Sequence, residues 1–227
     1  MKIYFLILLI STSNIIGQKY EVENIIGNVK FLSSSSNTWQ SLKPKMSLNE
    51  NTVVATDKSS SVKIRYDVIS FTLNESSAIT LSSIKKISLD ELILALAMEN
   101  IMDTPKNKGI DKSDNTAVYG NNITKDTQIT LTSNEFGLKR LNGAKQLAEN
   151  GMKESAVITS KEVYRKYPDT KKDINSRIYF ADLLFELHLY EESLDEYNEI
   201  KQLDVSLNQK NHVNGRIEQV SKKLIKY

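Results

Sequence analysis

Residues 142–200 repeat one pattern of small and apolar positions when the chain is laid over itself with an offset of 37 residues. Ala144 meets Ala181, Leu147 meets Leu184, Glu154 meets Glu191, Ala156 meets Ser193, and Val163 meets Ile200. A fixed offset of this size marks stacked helical hairpins, because a single hairpin cannot bury its own apolar face and needs a neighbour. Small residues at matched positions let two helices approach closely, and apolar residues a turn away fill the gap. Spacings of three and four in Val157, Ser160, Val163, Tyr164 and Tyr167, and again in Phe180, Ala181, Leu184 and Leu187, support helices independently. An ordinary helical bundle is the alternative.

Gly151, Ala156, the YRKYPD ending with Tyr167 and Pro168, and LYEESLDEY at 189–197 resemble the tetratricopeptide repeat family. Arg140 and Arg177 stand where that family has a bulky residue, His188 replaces the turn glycine in the second copy, and Val205 stands in place of Pro168. The resemblance implies a scaffold whose first helices, about 132–150 and 175–187, line a concave groove for a protein or peptide partner. The expected groove residues are Leu141, Lys145 and Glu149 on one helix and Ile178, Asp182, Phe185 and Glu186 on the next. Two repeats fall short of the ~3 usually needed for stability. A C-terminal helix with Val213, Ile217, Val220 and Leu224 can therefore cap the array and cover Phe185, or leave the groove open.

Ahead of the repeats the period changes from helical to alternating. Val62, Ile64 and Tyr66 alternate with Lys63 and Arg65, and after Asp67 the apolar Ile69, Phe71 and Leu73 alternate with Ser70 and Thr72. Two such runs meeting at a short polar turn predict a hairpin with one dry face. Val29 with Phe31, and segments 38–42, 53–56 and 79–81, add short strands, so a small antiparallel sandwich or barrel is expected. GNVKFL, WQSLKPKMSLNENTVVATDKSSSVKIRY and SFTLNESSAITL together resemble the FecR-like domain of bacterial envelope proteins. Trp39 reads as a core plug rather than a ligand platform.

These readings give an α+β chain of two segregated domains. A FecR-like β domain with a packed helix spans 19–103, a linker spans 104–131, and a helical domain spans 132–227. Ser88 and Glu91 form a capping box opening the helix at 88–103, and Thr132 and Glu135 form another before the first repeat. Thr116–Gly120 (TAVYG) resembles a segment that follows the helix in FecR-like chains and is a candidate returning strand. Lys2, the apolar run 3–10 and Gly17 describe a secretory signal peptide over 1–17, which places the mature chain in the periplasm or outside the cell. Only Met1 and Lys2 precede that run. The inward signalling route of FecR-like sensors is therefore not expected, although a ligand-binding sensor or regulator of envelope signalling stays as the alternative function.

Catalytic patterns are missing from the sequence. There is no cysteine, and His188 and His212 have no partner at metal-ligand spacing, so neither a metal nor a cofactor is expected. No phosphate-binding or dinucleotide-binding glycine loop and no nucleophile elbow occurs. A net charge of +2 gives no argument for nucleic acid. Residues 182–204 hold eight acids against one lysine and precede a basic helix from about 206 to 225, with Ser206 and Gln209 as its N-terminal cap, which predicts complementarity between packed helices. The leading expectation is a non-catalytic, periplasmic or secreted interaction scaffold whose helical array and β domain bind a protein or peptide partner or an envelope polymer. N-terminal sequencing of the mature protein should read from near Gln18, and an intact Met1 on a membrane-bound form would reverse the targeting assignment.

Overall fold

The computed structural model describes residues 19–36, 38–103 and 133–225. The expected signal peptide over 1–17, the whole of the expected linker 104–131 with TAVYG, and Thr132 lie outside the described residues. Eight strands come first: β1 (Lys19–Ile26), β2 (Val29–Leu32), β3 (Gln40–Ser41), β4 (Ser47–Asn49), β5 (Val53–Thr56), β6 (Ser61–Tyr66), β7 (Ile69–Leu73) and β8 (Ala78–Thr80). They form two antiparallel sheets of four, in the orders β4-β1-β6-β7 and β3-β2-β5-β8. The expected hairpin is β6–β7, with Tyr66 opposite Ile69 and Asp67 in the left-handed region at φ 51°. Aspartate tolerates that conformation better than most residues, which is how the turn closes without a glycine. Alternation does its work here: Val62, Ile64, Phe71 and Leu73 are buried while Lys63 and Arg65 are exposed.

Six helices follow: α1 (Leu89–Asp103), α2 (Asn134–Glu149), α3 (Lys153–Lys166), α4 (Ile174–Glu186), α5 (Tyr190–Lys201) and α6 (Leu207–Leu224). The capping boxes at Ser88/Glu91 and Ser206/Gln209 form as their spacing predicts. The cap of α2 is Ser133, which accepts from the Phe136 N–H, one residue later than the sequence pattern suggests. The repeat is carried into the fold in detail. Ala144, Leu147, Ala156 and Val163 and their partners Ala181, Leu184, Ser193 and Ile200 are all buried. The turns match as well. Gly151 at φ 77° has its counterpart, 37 residues on, in His188 at φ 62°. A left-handed non-glycine residue costs roughly 1–2 kcal/mol, and the His188 ring is held at its turn by Nδ1 lying 2.9 Å from the Tyr190 hydroxyl.

Strands and helices occupy separate stretches of chain, but their buried side chains do not form separate cores. One cluster runs from Tyr20, Val22 and Phe31 through Ile79 and Leu81 to Phe136, Leu141, Leu147 and Tyr164. Trp39 takes part in this junction, its ring 5.9 Å from Phe136 in an edge-on contact, in keeping with a plug. A second, smaller cluster of Ala181, Tyr197, Ile200, Val213 and Val220 joins α4, α5 and α6. Helix α1 packs chiefly on α3 rather than on the sheets, and Glu99 receives Arg165 at 2.7 Å.

The closest approach between the two regions is at Gly143 on α2. A Cβ there would lie 2.2 Å from the Ala78 carbonyl oxygen. Elsewhere in a helix, glycine to alanine gains about 1 kcal/mol. Gly143→Ala should instead lower the melting temperature by several degrees, because α2 must lift off β8, whereas Gly215→Ala, with open space around it, should raise it slightly. Equal stabilisation by both substitutions in thermal melts would show that α2 does not seat on β8.

Candidate interaction surface

The expected groove residues divide into three groups. Leu141 is fully buried in the core and offers nothing to a partner, so its assignment to an open groove is corrected. Because α2 uses one face for the sheets and another for α3, the position that repeat geometry assigns to solvent is consumed. Lys145 is half-buried with Nζ 6.0 Å from the Tyr179 ring centre, and Glu149 is exposed. Ile178, Asp182 and Phe185 do form one stripe on α4, as their spacing predicts, but α6 lies over it. The Arg216 guanidinium sits 4.9 Å from the Phe185 ring centre, and Tyr190 meets the same ring edge-on. Asp182 accepts from Tyr197, from Arg216 Nε at 2.9 Å and from His212 Nε2 at 3.1 Å. Ile178 packs into the α4–α5–α6 cluster. Glu186 is exposed and pairs with Lys153 at 2.8 Å. Of the two outcomes left open by the sequence, α6 takes the capping one.

The charge asymmetry resolves less simply than expected. Asp182 does meet α6, but Glu196 and Glu199 turn the other way. Glu196 pairs with Lys161 and with Arg177 at 2.8 Å, and Glu199 accepts from Arg177 at 2.6 Å. Burial pushes the Glu196 carboxyl up, but Lys161 and Arg177 outweigh it and hold it below the usual range. Arg140 and Arg177, read in the sequence only as departures from a family pattern, are both buried and repeat as an ion pair. Arg140 reaches Glu162 at 3.4 Å, and Glu162 lies 37 residues before Glu199. Two arginines and two glutamates at one offset were the signal that could have revealed this.

Sequence reasoning also missed the surface that the fold leaves most apolar. Twelve large hydrophobic side chains are exposed among the described residues, and six belong to α1. Leu92 and Leu96 face the core, while Leu94 (64% exposed), Met98 and Ile101 (75%) form an outward stripe at intervals of four and three, flanked by Ile93 and Met102. In the sequence the width of this helix's apolar stripe reads as packing on the β domain, with membrane association the alternative that its acidic residues disfavour. Surface of this kind is the usual mark of a protein contact. Among the described residues no group of three or more His, Asp or Glu is placed to hold a metal ion, and no helix is long and apolar enough to cross a membrane. No family model, no curated protein and no solved structure matches the chain.

If α6 is part of the fold rather than a movable cover, Phe185→Ala should destabilise the protein by about 1–3 kcal/mol, below the ~3–5 kcal/mol of a fully buried aromatic because Phe185 is half-buried. Denaturant unfolding of the full chain measures this. A variant as stable as the parent would mean that α6 leaves the stripe accessible.

Proposed function

We propose that the protein is a non-catalytic scaffold of the bacterial envelope, periplasmic or secreted, that docks a protein partner through the exposed face of α1. In this reading the strands are a FecR-like β domain and α2–α5 are two divergent tetratricopeptide repeats, with α6 as their cap. The matched burial, the matched turns at Gly151 and His188, and the repeated Arg–Glu pairs support the repeat assignment. The observation that carries the function is the α1 stripe of Leu94, Met98 and Ile101. Helix α1 carries Asp90, Glu91 and Glu99 and no lysine or arginine. That charge repels anionic lipid and suits a partner presenting an apolar surface rimmed by basic residues.

The test is a photo-crosslinking amino acid at Met98 in cells, with and without Leu94→Glu and Ile101→Glu. Both positions are exposed, so the doubly substituted protein should melt within about a degree of the parent, since substitutions at such sites usually stay within ~0.5 kcal/mol. A discrete crosslink to one other protein, lost on substitution, is expected. A crosslink to lipid, a crosslink to a second copy of this chain, or no crosslink at all would overturn the proposal.

A further inference from the structure

The chain holds five methionines and no cysteine, so its only sulfur is thioether sulfur. Met1 belongs to the expected signal peptide. Met152 is 1% exposed and lies in the core. Met46 is half-buried against the same core, and its Sδ accepts from the Lys43 N–H at 3.3 Å. Met98 and Met102 differ from both, at 54% and 53% exposed. They stand four residues apart on α1 and are therefore neighbours on one face. One lies in the outward apolar stripe and the other on its flank. The two most accessible methionines among the described residues thus share a single surface.

Methionine inside a protein commonly serves as a flexible filler of irregular gaps. Met98 and Met102 stand half outside the fold, where leucine or isoleucine, which hold the neighbouring positions 93, 94 and 101, would present similar apolar area. What a thioether adds is reactivity towards oxidants, and exposure decides which methionine reacts. We propose that Met98 and Met102 form an oxidation site, at which a peroxide turns the α1 face from apolar to polar and closes it to its partner. The step is a two-electron oxygen transfer. Each sulfur gives an electron pair to one oxygen of hydrogen peroxide, the O–O bond breaks, and a proton shift leaves one sulfoxide and one water. A docked partner covers both sulfurs, so the free protein is the form that reacts, and its removal draws the complex apart by mass action. A sulfoxide is polar, and burying it unpaired in a dry interface opposes rebinding. Methionine sulfoxide reductases reverse the change, which makes the surface resettable. The release rests on the docking role proposed for α1, whereas the selective oxidation follows from the exposures alone.

The purified full chain is treated with a small excess of hydrogen peroxide and followed by peptide mass mapping. Met98 and Met102 should each gain one oxygen while Met152 stays unmodified. Retention of the folded protein on a phenyl matrix should fall, and its melting temperature should stay within about a degree, because both side chains are exposed. Oxidation that begins at Met46 or Met152, or retention unchanged once both sulfoxides are present, would refute the site. Docking is read separately, by a photo-crosslinking amino acid at Leu94 in cells, with and without a brief peroxide pulse. The crosslink of the parent should fall roughly tenfold, the scale of burying an unpaired polar group. In Met98→Leu/Met102→Leu the yield, whatever its starting level, should be the same before and after the pulse. A crosslink that survives oxidation of both methionines, or is lost equally in the doubly substituted chain, would rule out the release. No crosslink even without peroxide removes the docking role itself, and mapping and retention then decide the oxidation site alone.

Discussion

The whole molecule depends on one close contact, the seat of α2 on the connection between β7 and β8. These strands are the edges of their respective sheets, and an uncovered edge leaves N–H and C=O groups unpaired. Helix α2 covers the connection that joins these edges and pairs its polar groups. Gln146 accepts from the Asn74 N–H at 2.7 Å and donates to Ser77 Oγ at 2.8 Å, Asn142 donates to the Ser76 carbonyl, and Lys139 reaches Asp57. These side chains reach their partners only because Gly143 lets the two backbones meet. From that seat the rest is built outwards: α3 packs on α2, α1 and α4 pack on α3, and α6 closes over α4 and α5.

Much of this was legible in the sequence because local chemistry and periodicity encode it. The 37-residue offset located both hairpins, the alternation at 61–73 located the β6–β7 hairpin, and two capping boxes fixed the starts of α1 and α6. The seat of α2 was not legible. Gly143 inside a helical pattern reads as a weak helix former, and Gln146 reads as a surface polar residue. Their roles appear only when residues about seventy positions apart in the chain are brought together. The groove assignment failed at Leu141 because its side chain is buried in the core that α2 shares with its neighbours, which repeat periodicity alone does not reveal.

The buried arginines show how electrostatics fixes a register that hydrophobic matching alone leaves loose. Replacing a buried ion pair with apolar residues is often neutral or stabilising, so Arg140 and Arg177 are poor candidates for sources of stability. Arg140 links α2 to α3 at one height through Glu162, whereas Arg177 grips two successive turns of α5 through Glu196 and Glu199. A first hairpin slipped by one turn would leave Arg140 buried without a carboxylate, which costs several kcal/mol, and a larger slip of the second would strand Arg177. The pairs therefore penalise the competing registers that small residues such as Ala144 and Ala156 would tolerate.

An array of stacked hairpins ends in two apolar faces, and both must be covered for the array to be soluble. Here the sheets cover the α2 end and α6 covers the α4–α5 end. With both ends closed, each of the two helical hairpins has a neighbour on either side. The same closure removes the inner stripe of α4 from contact with a partner. The exposed apolar surface is displaced onto α1, whose inner side and Glu99–Arg165 pair hold it to α3. A helix that buries Leu92 and Leu96 could have carried polar residues at Leu94, Met98 and Ile101 at no cost to the fold, so packing within the chain gives no reason for that stripe.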